Sequence, residues 1–282
     1  LSRNNQERLG APKSAAPAPP IAQTGESFSF ATPTEFVDLP TGGKYYPEGH
    51  PLHGQDSVEI RYMTAKDEDI LSSTTLLKKG IALDRLLQSV LVDRSIDINT
   101  LYIGDKNAIL VAARVTGYGE AYNARTSCPS CRSVVNFEYD LSQLGVRKGE
   151  KWGDYAIRRH VDDRFIITLP HSKVDVEVRL LTSKDEDYLS QLRDNKKKKK
   201  LPESNLTDQL RMIVCSVNGH ADPKSLQAFV EGLPARDSRY LRTAYELIVP
   251  NVNMSQEFSC ESCGHAQEVT VPLSADFFWP DR

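Results

Sequence analysis

The sequence has no long apolar run. No stretch reaches the roughly 20 residues that a membrane-spanning helix needs. The N-terminus lacks the apolar core of a signal peptide, so neither a span nor a secretory leader is expected. Cysteine is scarce, at five in 282 residues, which excludes a disulfide framework and points to a reducing compartment. An excess of charge of either sign is missing as well. Lys and Arg total 35 against 38 Asp and Glu, a net charge of -3, which argues against a general nucleic-acid binder. No nucleophile keeps a neighbouring base, and no cofactor fingerprint is present. Gly42-Gly43-Lys44 is not a phosphate loop, because the required glycine spacing is absent and Tyr45 follows the lysine. A non-enzyme without a small-molecule substrate or a membrane partner is therefore expected. The length suffices for one large or two small cores.

What is present occurs twice. Residues 58–72 read VEIRYMTAKDEDILS and residues 176–190 read VEVRLLTSKDEDYLS, with ten of fifteen positions identical. This density implies an internal duplication. Arg61 pairs with Arg179, Asp84 with Asp208, and Cys128 with Cys260, so the offset drifts slowly along the chain. The stretch 165–170 (FIITLP) echoes 36–40 (FVDLP). The fold class read from this pattern is α+β: a strand–helices–β-hairpin unit used twice, related by a pseudo-two-fold. Residues 1–34 form an extended or disordered arm, since the Pro/Ala-rich segment 11–21 cannot build a core. Repeat one spans 35–148 and repeat two spans 149–282, the latter ending in an aromatic tail.

In each copy the acidic block has a structural explanation. Thr64 can cap a helix with Asp67 three residues on, and Thr182 and Asp185 repeat this. Acids in a first turn also suit the helix dipole. Apolar stripes then mark helices at Leu83, Leu86, Leu87 and Val90, and at Leu206, Leu210, Ile213, Val214 and Val217. Asp105 reads as a helix cap, and Asp222-Pro223 opens a helix with proline first. Leu241, Ala244, Tyr245 and Ile248 form the last stripe. Cys215 reads as an inert core residue on a helix, and His50 and His53 as loop histidines in solvent. The lysines 196–200 read as a solvated loop, with an electrostatic contact as the rival reading; Lys196 and Lys200 mark its ends.

Cys128/Cys131 and Cys260/Cys263 each sit between strand-like runs. Two thiolates at this spacing on a tight turn are half of a tetrahedral zinc site. A thioredoxin-type motif would instead open a helix after a strand, and a rubredoxin-type iron site shares the knuckle geometry. One structural zinc per chain on Cys128, Cys131, Cys260 and Cys263 is the reading that uses both halves. Sharing of each half-site with another subunit is the alternative. Four thiolates leave no open position for substrate. Aromatic residues at turns and ends, namely Tyr45, Tyr46, Phe277, Phe278 and Trp279, are interface candidates.

The run from Phe36 to Pro47, then Met63 to Leu71, Leu76 to Leu87, Gly117-Tyr118-Gly119 and Cys128-Pro129-Ser130-Cys131 resembles the T4-type baseplate hub protein family of contractile-tailed bacteriophages. The resemblance covers about residues 35–280. It implies a non-enzymatic virion component of the tail baseplate, made in the host cytoplasm and contacting hub, tube or wedge proteins. A zinc-ribbon nucleic-acid binder is the competing reading. It draws on the cysteine pairs, residues 196–200, Arg158 and Arg159, and it lacks interleaved aromatic and basic residues.

Overall fold

The computed structural model describes residues 32–271 and 275–278. Most of the expected N-terminal arm and Trp279 lie outside the described residues. The chain opens with β1 (Thr34–Asp38), antiparallel to β2 (Ser57–Arg61). The loop between them turns back through Gly42 and Gly43, both at positive φ. A side chain at Gly43 would place its Cβ 2.4 Å from Gln55 N and 2.6 Å from Leu52 O, so only glycine fits. Four helices follow: α1 (Ala65–Ser72), α2 (Thr74–Lys79), α3 (Ala82–Val90) and the long α4 (Ile103–Tyr118). A hairpin of β3 (Ala121–Ser127) and β4 (Val134–Asp140) completes this half.

The second half begins with β5 (Val146–Arg147). Then come β6 (Ile157–Arg159), β7 (Arg164–Thr168) and β8 (Asp175–Arg179). α5 (Ser183–Lys198) and α6 (Asn205–Ile213) lead to β9 (Val214–Val217), and β6-β7-β8-β9 form one antiparallel sheet. α7 (Pro223–Gly232) and α8 (Ala235–Ile248) precede β10 (Asn251–Val252). A hairpin of β11 (Ser255–Ser259) and β12 (Ala266–Thr270) follows, then a 3-10 turn over Ala275–Phe278. Helices and small antiparallel sheets make this an α+β fold.

The two similar stretches form the same junction. Arg61 forks onto Asp67 at 2.7 and 2.9 Å, and Arg179 forks onto Asp185 at 2.7 and 2.8 Å. Asp67 also accepts the Thr64 N–H and O–H at 2.8 Å each, and Asp185 accepts those of Thr182 at 2.9 and 3.0 Å. Burial pushes both carboxyls up, but these bonds outweigh it and hold both below the ordinary range. The acidic block is thus a strand-to-helix clamp.

The long helices share a second device that the sequence reading missed. Asp105 of α4 accepts the Thr41 N–H at 3.0 Å, the Thr41 hydroxyl at 2.6 Å and the Tyr46 hydroxyl at 2.7 Å. Asp237 of α8 accepts the His171 and Ser172 N–H groups at 3.0 and 2.9 Å. Each aspartate, fully buried, fastens the turn that follows Leu-Pro. The expectation that Asp105 caps α4 is corrected here. Tyr102 is the cap residue, and the carboxylate, one turn in, binds across the core instead.

Two more expectations are corrected. The stripe expected to run as one helix to Val217 breaks after Ile213. The β-branched Val214 and Val217 add to β8 as a strand, which moves Cys215 to a half-buried strand position. The lysine run is not all loop, because α5 continues through Lys198. Lysine is a good helix former, and cations suit a helix C-terminus.

Both halves share one apolar core. At their junction Tyr102 bridges to Thr182, and Lys106, almost buried, meets Ser183 Oγ at 2.9 Å, Asp84 at 3.1 Å and Glu186 at 3.2 Å. The segments trailing each hairpin cross over. β5 pairs with β10 behind α8. The Ala275–Phe278 turn packs on α4, where Arg114 Nε donates to Phe277 O at 2.9 Å.

Candidate metal centre

The two cysteine pairs lie at the tips of the two hairpins, β3–β4 and β11–β12. The turns have the same construction. Cys128 N donates to Ser133 O at 2.9 Å and Arg132 N to Cys128 O at 2.8 Å. Cys260 N donates to His265 O at 2.9 Å and Gly264 N to Cys260 O at 2.8 Å. The residue after each second cysteine has left-handed backbone, Arg132 at φ 60° and Gly264 at φ 70°. Glycine adopts this without cost, whereas the arginine is held there by the turn.

The hairpins bring the tips together through aromatic contacts. Phe137 stands edge-on to Phe258 at 5.3 Å and to Tyr139 at 4.7 Å. Tyr122 packs against Tyr139 and, edge-on, against Phe277 at 5.1 Å. Gln256 of β11 ties the hairpins by donating to Asp140 O and accepting from Asp140 N. This clamp had no signal in the sequence.

All four sulfurs lie within 4.8 Å of one another. Cys128 Sγ is 3.8 Å from Cys263 Sγ, and Cys131 Sγ is 3.7 Å from Cys260 Sγ. These pairs run between hairpins, and no disulfide is formed. Four sulfurs each ~2.3 Å from a metal sit ~3.8 Å apart along a tetrahedron edge. The observed spacing fits that arrangement. Cys128 and Cys260 are buried, while Cys131 and Cys263 are at the surface. Ser133 adds a hydroxyl 2.9 Å from Cys131 Sγ and 3.5 Å from Cys260 Sγ.

The electrostatics fit a bound cation as well. The Ser133 hydroxyl, helped by backbone N–H groups, brings the Cys260 thiol down to about 6. The backbone at His265 pulls Cys263 down, but its three sulfur neighbours push it up to about 11. Four adjacent thiols cannot all ionise by themselves, and a divalent cation removes that conflict. The cluster can therefore hold a metal, and it offers a closed donor set.

The other candidate residues have different surroundings. Tyr45 and Tyr46, interface candidates by sequence, are buried in the chain's own core. Tyr45 contacts Phe165 and Tyr102, and Tyr46 stacks on His50 at 4.4 Å. His53 hydrogen-bonds Tyr46 O at 2.6 Å. The two loop histidines thus brace the Tyr-Tyr turn. Phe277 and Phe278 are also buried, 1% exposed each. Lys196 is engaged with Asp208 and Ser204, while Lys200 is exposed. A half-open cleft of about 380 Å³, with Tyr102, Leu181, Leu210, Leu241 and Tyr245 in its walls, lies where α4, α6 and α8 converge. No helix among the described residues is long and apolar enough to cross a membrane.

No curated protein and no solved structure matches the chain. A family model described as T4 bacteriophage base plate protein matches residues 32–279. That span takes in both cysteine hairpins, both arginine clamps and both long helices, and the chain accordingly belongs to the T4-type bacteriophage baseplate protein family.

Proposed function

We propose that this baseplate protein serves in the hub region, as a subunit built from a duplicated unit and stapled by one Zn²⁺ on Cys128, Cys131, Cys260 and Cys263. Its expected neighbours are other hub, tube or wedge proteins. The observation that carries the reading is the cross-hairpin sulfur spacing, 3.8 and 3.7 Å, with one partner of each pair from each hairpin. Exchanging the hairpins maps one pair onto the other, as an approximate two-fold requires. The matching arginine clamps, aspartate fasteners and cysteine turns support the duplication. Since one chain supplies all four sulfurs, sharing the metal between subunits is unnecessary.

Zinc in such a site is structural. Four thiolates close its coordination, so it holds the hairpins together and offers no position for a substrate. Because the site exists only in the folded chain, metal binding adds to folding free energy. The residues' own part is to place the sulfurs: the turns fix the backbone, the Phe137–Phe258 contact sets the distance between hairpins, and Ser133 offers a hydrogen bond to sulfur.

The test has two arms. Elemental analysis of the purified chain should give one zinc per chain, lost only on unfolding. Mass spectrometry of purified tail particles should find the chain in a fixed ratio to other baseplate proteins. Redox-active thiols without zinc would overturn the staple. A chain found only free in the lysate would overturn the virion role.

A further inference from the structure

The strand pairs β1–β2 and β7–β8 have the same surroundings but different neighbours. Each first strand runs into Leu-Pro, at Leu39-Pro40 and Leu169-Pro170. Each second strand ends on the arginine that clamps the next helix. Their hydrogen-bond phase also agrees. Leu39 N donates to Asp56 O and Tyr62 N to Pro33 O, so the odd residues of β1 face β2. Leu180 N donates to Asp163 O, so the odd residues of β7 face β8. The even residues point their main-chain groups away from the partner. In β7 these are Arg164, Ile166 and Thr168; in β1 they are Thr34, Phe36 and Asp38.

In β7 a strand receives them. Thr168 N donates to Ala156 O, His160 N donates to Arg164 O, and Arg158 of β6 stands opposite Ile166. In β1 no described residue does so, because that sheet holds only β1 and β2. Phe36, at the position matching Ile166, is 68% exposed, the most exposed large apolar residue described. An open strand edge with an exposed aromatic is a template for pairing, and proteins ordinarily cover or blunt it.

Charge narrows the occupant. Glu35 and Asp38 lie on β1, with Asp56 and Glu59 next to them on the β2 side. None of the four forms an ion pair among the described residues. At the matching edge of β7 the covering strand is basic, and its Arg158 reaches Asp175 at 2.6 Å. The adjoining stretch Glu26-Ser27-Phe28-Ser29-Phe30-Ala31 carries no basic side chain, and the chain's own basic residues before Pro33 lie far upstream at Arg3, Arg8 and Lys13. We infer that the outer edge of β1 docks an extended, basic segment of another baseplate polypeptide, added antiparallel with an Arg or Lys beside Phe36. The main chain of such a segment supplies affinity, and a cation over the Phe36 ring between carboxylates supplies selectivity. The inference rests on the assembly role proposed above.

Two full-length variants test it. Phe36→Pro deletes an N–H that points away from β2, so the β1–β2 ladder stays intact. The double change Asp38→Lys with Glu59→Lys reverses the charge and leaves every backbone group in place. Both purified variants should melt within a few degrees of wild type, yet be recovered in tail particles at least tenfold less than wild type. Hydrogen exchange supplies a readout without mutation: the Phe36 and Asp38 amides should exchange fast in the purified chain and slowly in the particle. Normal incorporation of both variants overturns the edge inference alone. Slow exchange of these amides already in the purified chain also overturns it, since the chain's own residues would then cover the edge. Absence of the wild-type chain from particles overturns the assembly role and this inference with it.

Discussion

Replacing Arg61 with Met removes a cation from a carboxylate that has no water. Asp67 is fully buried, and its two oxygens take the guanidinium fork at 2.7 and 2.9 Å. Arg61→Met keeps the apolar stem, so the loss is one of charge rather than packing. The Thr64 bonds survive and keep Asp67 partly satisfied, which places the cost at the low end of the ~3–5 kcal/mol typical of a broken buried pair. At ~2–4 °C per kcal/mol for a unit of this size, the melting temperature falls by ~6–12 °C. Arg179→Met should cost only ~1–2 kcal/mol, because its pair with Asp185 is partly in solvent, 27% and 12% exposed.

The pH dependence separates this account from lost packing. In the wild type the Asp67 carboxyl is held below its ordinary value, burial being outweighed by Arg61, Ser89 and Thr64. The clamp therefore contributes fully above the unfolded pKa of ~3.9, and its contribution is lost as pH falls through the lower folded value. In Arg61→Met burial meets no cation, so the folded pKa rises and the penalty grows with pH. Thermal melts followed by circular dichroism at pH 7 and pH 4.5, with zinc held constant, should show the Arg61→Met deficit shrinking toward the lower pH. Equal losses for both arginines, or a deficit indifferent to pH, would refute the charge argument.

Three further outcomes follow from the same geometry. Cys128→Ser or Cys260→Ser should lower zinc from one per chain to below a tenth in elemental analysis, while Cys215→Ser, at a half-buried strand position away from the cluster, leaves it unchanged. Gly104→Ala sets two effects against each other: helix propensity favours alanine by ~1 kcal/mol, but its Cβ would lie 2.0 Å from Pro250 O. Overpacking costs ~1–3 kcal/mol and wins, so denaturant unfolding should show a net loss. Lys196→Gln takes a cation from the nearly buried Asp208 and should cost ~1–2 kcal/mol, whereas Lys200→Gln, at an exposed position, should not change the denaturation midpoint.

The cysteine cluster and the clamps were legible because their chemistry is local in sequence. A Cys-x-x-Cys turn, or a Thr with an Asp three residues on, carries its own geometry. The repeated stretch set the register that paired one half-site with the other. Long-range partners left no such trace. Nothing near Asp105 announces that Thr41 and Tyr46 will be its donors, and nothing in Gln256 points to Asp140. The burial of the aromatic residues was hidden for a related reason. Tyr45, Tyr46 and Phe277 sit at turns and ends, where a one-dimensional reading expects solvent, yet Tyr46 folds onto Tyr102 of its own half while Tyr45 meets Phe165 and Phe277 meets Tyr122 of the other half. At Ile213 the apolar stripe gave no warning of its change from helix to strand, since a run of buried apolar residues satisfies either period.

The crossed trailing segments bear on when the protein becomes complete during synthesis. The first half is translated first, but the wall over Arg114 and Tyr122 is finished by Phe277, 163 residues after Arg114. β5 finds its strand partner only when residue 251 has emerged. Contacts of such sequence separation make folding slow and collective. A chain that stops before residue 260 lacks both the second pair of sulfurs and the closing turn, so it has neither the four-sulfur cluster nor a sealed core. The crossing thus makes the finished core depend on the whole span from β5 to Phe277 being present.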